Sequence, residues 1–494
     1  MLDSTPMAKM YLICAIVTSF VLRFIHRIYF SPLARIPRAH PTSLISATWV
    51  WWRRRNGRES RSILAAHQRH GPVVLLAPNE VSFATLSALR TIYVGGFART
   101  SWFDEFKNYE TPNLVTTYDG RQHAARRRVV AGIFSKSHLL RAPDVRDMMQ
   151  ELLFRRLLPA LEGEVDVYEL ALAAGAEFVN AHQLGTAHSM DIMRKERTAA
   201  RQEYLHLGNV KLRHLPGWQP AQHALEQQLL DLCRPVEAFL RSGKEGRGTF
   251  PVVYAQLRNA FAPNDSQVGS LPEKILDIAT DLLDNVEAGR VGLGIALAYT
   301  MYELSRHPAT QAALQQELIA LGEELSIDSG TGFSPTTLRI ISDLPLLDAV
   351  VMETLRRYAP APGPQRRAVP AGGAEIDGYW LPGGVVVHAA PYVLHRTASV
   401  FNDPESWLPE RWLNGKGDER RWFWPFGSGG KMCLGNHFAE LVMKVVLAGV
   451  YANFQTAVSK AQDPALMRPQ DDMMGYPEGE ACLLVFQKLR ACDE

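Results

Sequence analysis

Phe426-Gly427-Ser428-Gly429-Gly430-Lys431-Met432-Cys433-Leu434-Gly435 is the stretch around which the rest of the chain reads. One cysteine stands among glycines, after an aromatic and a cation and just before a helical pattern from Phe438 to Tyr451. A thiol at a helix start meets free backbone N–H groups and the positive end of the helix dipole, which favours its thiolate. The glycines let the backbone approach something flat and bulky, and Lys431 offers charge to an anion at that object's edge. A planar metallocycle with acidic side arms meets these demands, and haem held by a cysteine thiolate is the candidate. The plainer alternative is a Gly-rich turn holding a buried free cysteine.

Two groups lie upstream. Glu353-Thr354-Leu355-Arg356 sets a carboxylate and a guanidinium three apart on one helix face, by itself an ordinary ion pair. Pro409-Glu410-Arg411-Trp412 adds a second arginine in an irregular Pro- and Trp-containing stretch. One glutamate can bridge two arginines through bidentate bonds, so Glu353, Arg356 and Arg411 are candidates for a triad locking a helix to the loop region before the cysteine.

In this order the three groups resemble the cytochrome P-450 family. The likeness runs from an apolar N-terminus through a long central helix to the cysteine loop. It implies a mainly α fold with a minor β lobe, preceded by a single transmembrane helix of the microsomal, fungal type. It makes Cys433 the axial ligand of the iron of haem b, with Phe426, Gly429, Lys431 and Gly435 forming its cradle. It also suggests His123, Arg127, Arg367 and His395 as partners of the haem propionates. Electrons would come from NADPH through a separate membrane-bound reductase, because no flavin or nicotinamide fingerprint is present. Arg121, Arg126, Arg127 and Arg128 could steer that partner's docking.

The likeness has two departures. Lys431 replaces the family's usual arginine, keeping the charge but losing the fork of donors. In Glu287-Ala288-Gly289-Arg290-Val291-Gly292 the Ala288-Gly289 pair matches the family's oxygen groove, whereas Val291 and Gly292 replace the acid and threonine that relay protons. Glu287 is the nearest carboxylate, one helical step before the groove. Gly289, Gly292 and Gly294 predict local weakness, at about 1 kcal/mol per glycine relative to alanine, and with it a kink or widened turn. Three readings stand open: a monooxygenase with water or a substrate hydroxyl as relay, a haem-thiolate enzyme of coupling, rearrangement or dehydration, and an idle haem or ligand binder.

The remaining features are coarser. The 494 residues are 47% hydrophobic and 21% charged, which reads as globular, and a net charge of +2 makes no case for nucleic-acid binding. Five scattered cysteines without a CxxC pair argue against a disulfide framework or zinc knuckle. Met10 to Leu22 is an apolar run and Phe24 to Phe30 extends it, so residues 1–30 read as a membrane anchor. Residues 31–48 form a Pro-containing connector, and residues 49–494 a single catalytic domain. Arg23, Arg27, Arg35 and Arg38 follow the run, which by the positive-inside rule leaves the body in the cytosol, at the endoplasmic reticulum membrane on the family likeness. Trp49 to Arg55 suits either a lipid headgroup zone or an ordinary amphipathic helix. Strands are expected at Val73 to Leu76, Val81 to Phe83, Gly383 to His388 and Ala481 to Phe486. Helices are expected over Val167 to Leu184 and Pro272 to His307, with Gly96 to Thr117, the Met193 to Pro235 helices and the long central helix supplying substrate contacts. The expected substrate is a lipophilic metabolite.

Overall fold

The computed structural model describes residues 6–243, 248–261, 274–413 and 417–489. Eight helices carry the argument: α1 (Pro6–Ile25), α2 (Gly120–Val130), α3 (Val167–Leu184), α4 (Thr198–Leu212), α5 (Trp218–Ser242), α6 (Ile275–Arg306), α7 (Pro345–Arg357) and α8 (Asn436–Asn453). Cys492, the fifth cysteine, lies outside the described residues.

The α-helical core is built on α6, whose 32 residues span about 48 Å. Its inner partner, α3, is apolar and buried on almost every side, as a helix surrounded by other helices must be. Asp166 caps α3 by accepting from the N–H groups of Tyr168 and Glu169, and Gly185 at φ +76° ends it. The expected widened turn in α6 is absent, the α-helical pattern being unbroken from Ile275 to Arg306. Its glycines instead admit α3: a Cβ on Gly294 would lie 2.6 Å from Leu172 Cδ2, and one on Gly289 would lie 3.0 Å from Gly175 O. Close packing along this seam offsets the low helix propensity, and α6 runs regularly throughout.

The β lobe is a five-stranded sheet in the order β1 (Val73–Ala77), β2 (Glu80–Phe83), β8 (Val386–His388), β5 (Arg367–Ala368) and β3 (Ala98–Arg99). β1 and β2 pair antiparallel with Val73 opposite Phe83, and β2 runs parallel to β8. A hairpin of β6 (Ala374–Ile376) and β7 (Tyr379–Leu381) lies between β5 and β8 in sequence. A second sheet joins β4 (Gly163–Asp166), β10 (Leu483–Lys488) and β9 (Phe454–Val458). The connector is docked onto the lobe: Leu33, Ile36 and Leu44 are buried in its core, and the Ala39 N–H donates to Leu75 O at 3.0 Å.

The N-terminus differs from the expected transmembrane anchor. Among the described residues, no helix is long and apolar enough to cross a membrane. The clean run from Met10 to Leu22 covers about 20 Å at 1.5 Å per residue, against a hydrocarbon layer of roughly 30 Å. α1 nevertheless leaves Met10, Leu12, Ile13, Ile16 and Val17 exposed, and Trp51 and Trp52 are exposed further along.

Candidate active site

The loop before α8 is held by short backbone bonds. Cys433 N–H donates to Phe426 O at 2.9 Å and Met432 N–H to Gly429 O at 3.1 Å. Gly429, at φ +72°, presses on the turn ending at Val94, where a Cβ would come well under 3.0 Å from Tyr93 O. Only glycine suits both the backbone angle and that approach. Tyr93 ties the loop to the sheet: its hydroxyl donates to Gln365 O at 2.6 Å and accepts from Ala389 N–H at 2.8 Å, while its ring meets Trp424 with centroids 4.6 Å apart. Neither Tyr93 nor Trp424 stood out in the sequence, because their partners are remote.

Cys433 sits three residues before the first residue of α8, and the Gly435 N–H is directed at its sulfur. Burial raises the thiol pKa, while that N–H and the nearby Arg127 guanidinium oppose the rise. The sulfur keeps accessible surface although its loop is flanked by core, as does Ala288 in the middle of α6. Phe426 packs against the main core.

The triad residues come together. Glu353 lies at 0% exposure and takes Arg356 bidentately, at 2.8 Å to each carboxylate oxygen, with Arg411 Nε at 3.0 Å. Leu408 N–H and Trp412 Nε1–H donate to the same carboxylate at 2.9 and 2.8 Å. Arg356 also donates to the carbonyls of His395, Pro404 and Ser406. Every charge in the cluster is thus paired and hydrogen-bonded, the condition under which burying it is tolerable.

His395 is a correction. Its Nε2 accepts from Trp424 N–H at 2.8 Å and its Nδ1 bonds Arg356 O at 3.1 Å. Burial, with Arg356 and Arg396 nearby, lowers its pKa to about 3, so the ring is neutral and has no donor left for a propionate. It braces the stretch between triad and loop instead.

The remaining cations do converge. His123 on α2, Arg127, Arg367 and Lys431 are joined by Arg99 on β3, which the sequence reading missed because it sits in no recognisable spacing. Burial and then its positive neighbours lower Lys431 to about 8 and Arg99 to about 10. The same causes bring His123 to about 4. Burial also lowers Arg127 and Arg367. None of the four arginine and lysine side chains has a carboxylate within ion-pair distance among the described residues. Arg127 spends one donor on Met432 O at 2.8 Å, and Arg367 lies 5.0 Å over the Tyr93 ring. Desolvated cations without counter-ions make a site for a dianion.

The first basic helix is less available to a partner than expected. Arg126 turns inward to Asp281 at 2.6 Å, leaving Arg121 and Arg128 exposed.

Farther along the core, α6 divides its charges. Arg290 is fully buried and pairs with Glu287 at 2.9 Å, and it donates to Asn209 Oδ1 of α4 at 3.0 Å. Tyr204 of α4 donates to Glu287 at 2.9 Å. Glu287 therefore faces α4, away from the Ala288-Gly289 groove. Val291 is buried, and the space beside Gly292 is open. The three segments expected to contact substrate meet here: Lys211 donates to Asn108 Oδ1 at 2.5 Å, and Tyr109 N–H donates to Glu226 at 2.6 Å.

Residues 258–484 match the family model described as Cytochrome P450. The cytochrome P450 monooxygenase aflV of Aspergillus parasiticus is 25% identical, covering 95% of this chain and 94% of its own. The cytochrome P450 monooxygenase avaI of Aspergillus versicolor is 29% identical over 77% of this chain and 94% of its own. The corresponding stcB enzyme of Emericella nidulans is 26% identical over 85% and 81%. The chain belongs to the cytochrome P450 family.

This P450 is a monooxygenase, and the family brings a haem iron and electrons from a redox partner. The residues present fit that group: a reachable thiol at a helix start, glycines where the backbone must stay bare, and partly buried cations that have no carboxylate partner among the described residues, for two acidic side arms.

Proposed function

We propose that Cys433 is the axial thiolate ligand and that the chain hydroxylates a lipophilic small molecule in secondary metabolism. The observation that carries this is the cysteine placed before α8 beside a cluster of desolvated, unpaired cations. Haem b bound there supplies the redox chemistry of oxygen activation. The protein's own residues do the rest. Arg99, Arg127, Arg367, Lys431 and His123 hold the acidic side arms, the Gly435 N–H tunes the sulfur, and the Glu353–Arg356–Arg411 triad fixes the loop region. Ala288 and Gly289 leave room for oxygen and substrate.

Electrons come from NADPH through a separate reductase, docked over Arg121 and Arg128. The exposed apolar side chains of α1, with Trp51 and Trp52, rest in the surface of the endoplasmic reticulum membrane on its cytosolic side. The three relatives named above are monooxygenases of fungi, which supports this reading.

Val291 and Gly292 favour a second reading, coupling, rearrangement or dehydration without oxygen insertion, because neither side chain can move a proton. A reduced, carbon-monoxide-bound spectrum tests ligation: the red-shifted Soret band of thiolate binding is expected from the wild type and is lost in Cys433→Ala. Feeding candidate substrates with reductase and labelled dioxygen then separates the two chemistries. Label in the product supports oxygenation, and product without label supports the second reading.

A further inference from the structure

Oxygen insertion consumes RH, O2, two electrons and two protons, and yields ROH and water. The external reductant brings the electrons. The protons must enter the cavity beside α6, where the two positions that carry proton-bearing side chains in the family hold Val291 and Gly292.

One carboxyl remains on the right face. Asp284, Ala288 and Gly292 are spaced four apart and share one stripe of α6. All three keep accessible surface, Ala288 the most, and nothing lies within 4 Å of a Cβ on Gly292; Asn285, Glu287 and Gly289 are partly open too, whereas Leu282, Leu283, Val286, Arg290 and Val291 are buried. The stripe is therefore the wall of an interior space. Glu287, the other nearby acid, is consumed by Arg290 and Tyr204. Asp281 is taken by Arg126 and the Leu114 N–H. Among the described residues, Asp284 has no hydrogen-bond or ion-pair partner.

We propose that the Asp284 carboxyl is the proton donor of this cavity, standing in for the side chains absent at positions 291 and 292. The proposal rests on the oxygenase reading above. Asp284 gives its proton, through water in the open space beside Gly292, to the oxygen atom that leaves as water, and it is reprotonated from solvent. Its surroundings suit a group that exchanges protons near neutrality. Burial and the Asp281 and Glu287 carboxylates on its own helix favour the protonated form, opposed by Lys211 of α4 and Arg99 of β3, and its pKa comes to about 7. A general acid is most effective when its pKa lies near the working pH.

Cumene hydroperoxide reports the step without native substrate or reductase. When its O–O bond breaks with both electrons going to the cumyl oxygen, that oxygen takes a proton and leaves as cumyl alcohol. When the bond breaks evenly, the cumyloxyl radical loses methyl and gives acetophenone. Asp284→Asn is expected to lower the alcohol-to-ketone ratio by about 10-fold or more. Asp284→Glu should keep most of it, and adding Gly292→Thr to the Asn variant should restore it.

Infrared difference spectra of the purified protein give a readout independent of turnover. A protonated-carboxyl band should disappear as pH rises through about 7 and be missing from Asp284→Asn. An unchanged ratio in Asp284→Asn with its thiolate carbon monoxide spectrum intact overturns the proposal, as does the absence of that band from the wild type. Loss of the thiolate spectrum in the wild type overturns the oxygenase reading itself, so the two failures are distinct.

Discussion

Gly175 of α3 and Gly289 of α6 meet backbone against backbone. A Cβ on Gly175 would lie 3.1 Å from Arg290 O and closer still to Gly289 O, and one on Gly289 would press into Val179 and Gly175 O. Gly289, proposed above to leave room for oxygen and substrate, is therefore also a point where the two central helices touch.

Gly175→Ala should force the helices apart and cost about 1–3 kcal/mol, the usual penalty for overpacking. Gly292→Ala, with nothing within 4 Å of its added Cβ, should instead gain up to about 1 kcal/mol of helix propensity. Urea unfolding of the two variants beside the wild type checks both signs. If both lose stability equally, the seam is not what distinguishes these positions.

Removing Glu353 leaves Arg356 and Arg411 as buried charges without their shared counter-ion. Glu353→Ala should lose about 3–5 kcal/mol, and Arg411→Ala less, since Arg356 keeps the carboxylate neutralised. Chemical denaturation gives the two values, and haem content after expression should fall in the same order.

The cation cluster should matter for holding the cofactor more than for folding. Arg99 has a desolvated charge and, among the described residues, no carboxylate partner, its guanidinium donating only to the Leu114, Val115 and Lys431 carbonyls, so Arg99→Gln relieves a desolvated charge in the cofactor-free protein and removes a donor from the loaded one. Haem dissociation, followed by transfer to an acceptor protein, should quicken by about 10-fold, the worth of one charge-assisted bond. Unfolding of the cofactor-free protein should be unchanged or slightly harder.

Three buried histidines outside the cation cluster set a pH response. Burial lowers His67 to about 4 and His182 and His395 to about 3, against 6.5 for the exposed ring. Between these limits the unfolded chain binds protons that the folded chain refuses, so stability rises with pH across that window. Their contribution is complete above about pH 6.5 and is lost as pH falls toward 4, at about 1.4 kcal/mol per pH unit for each ring. Urea midpoints between pH 4.5 and 8 should show that slope. A flat profile below pH 6.5 would contradict neutral burial.

The motifs legible in the sequence are those whose chemistry is local. Gly429 and Gly435 around Cys433 and the three-residue step from Glu353 to Arg356 are each set within a turn or two of chain, and the apolar stretch of Val167–Leu184 within one helix. Arg411 was reachable because its type and order suited a bridged carboxylate. His395 was legible as important but not in its role, since its partners Trp424 and Arg356 lie far along the chain.

By itself, then, the sequence determined the family, the candidate thiolate, the triad and the loss of proton-bearing groups at Val291 and Gly292. These depend on residue type and short spacing, which folding does not alter. Only the tertiary structure decided which cations face one another, that α6 keeps an unbroken α-helical pattern, and that Glu287 is spent on Arg290 while Asp284 has no partner among the described residues. Those outcomes depend on burial and on distances between remote segments. A desolvated charge changes its behaviour with every partner brought within a few ångströms, and no spacing along the chain records that encounter.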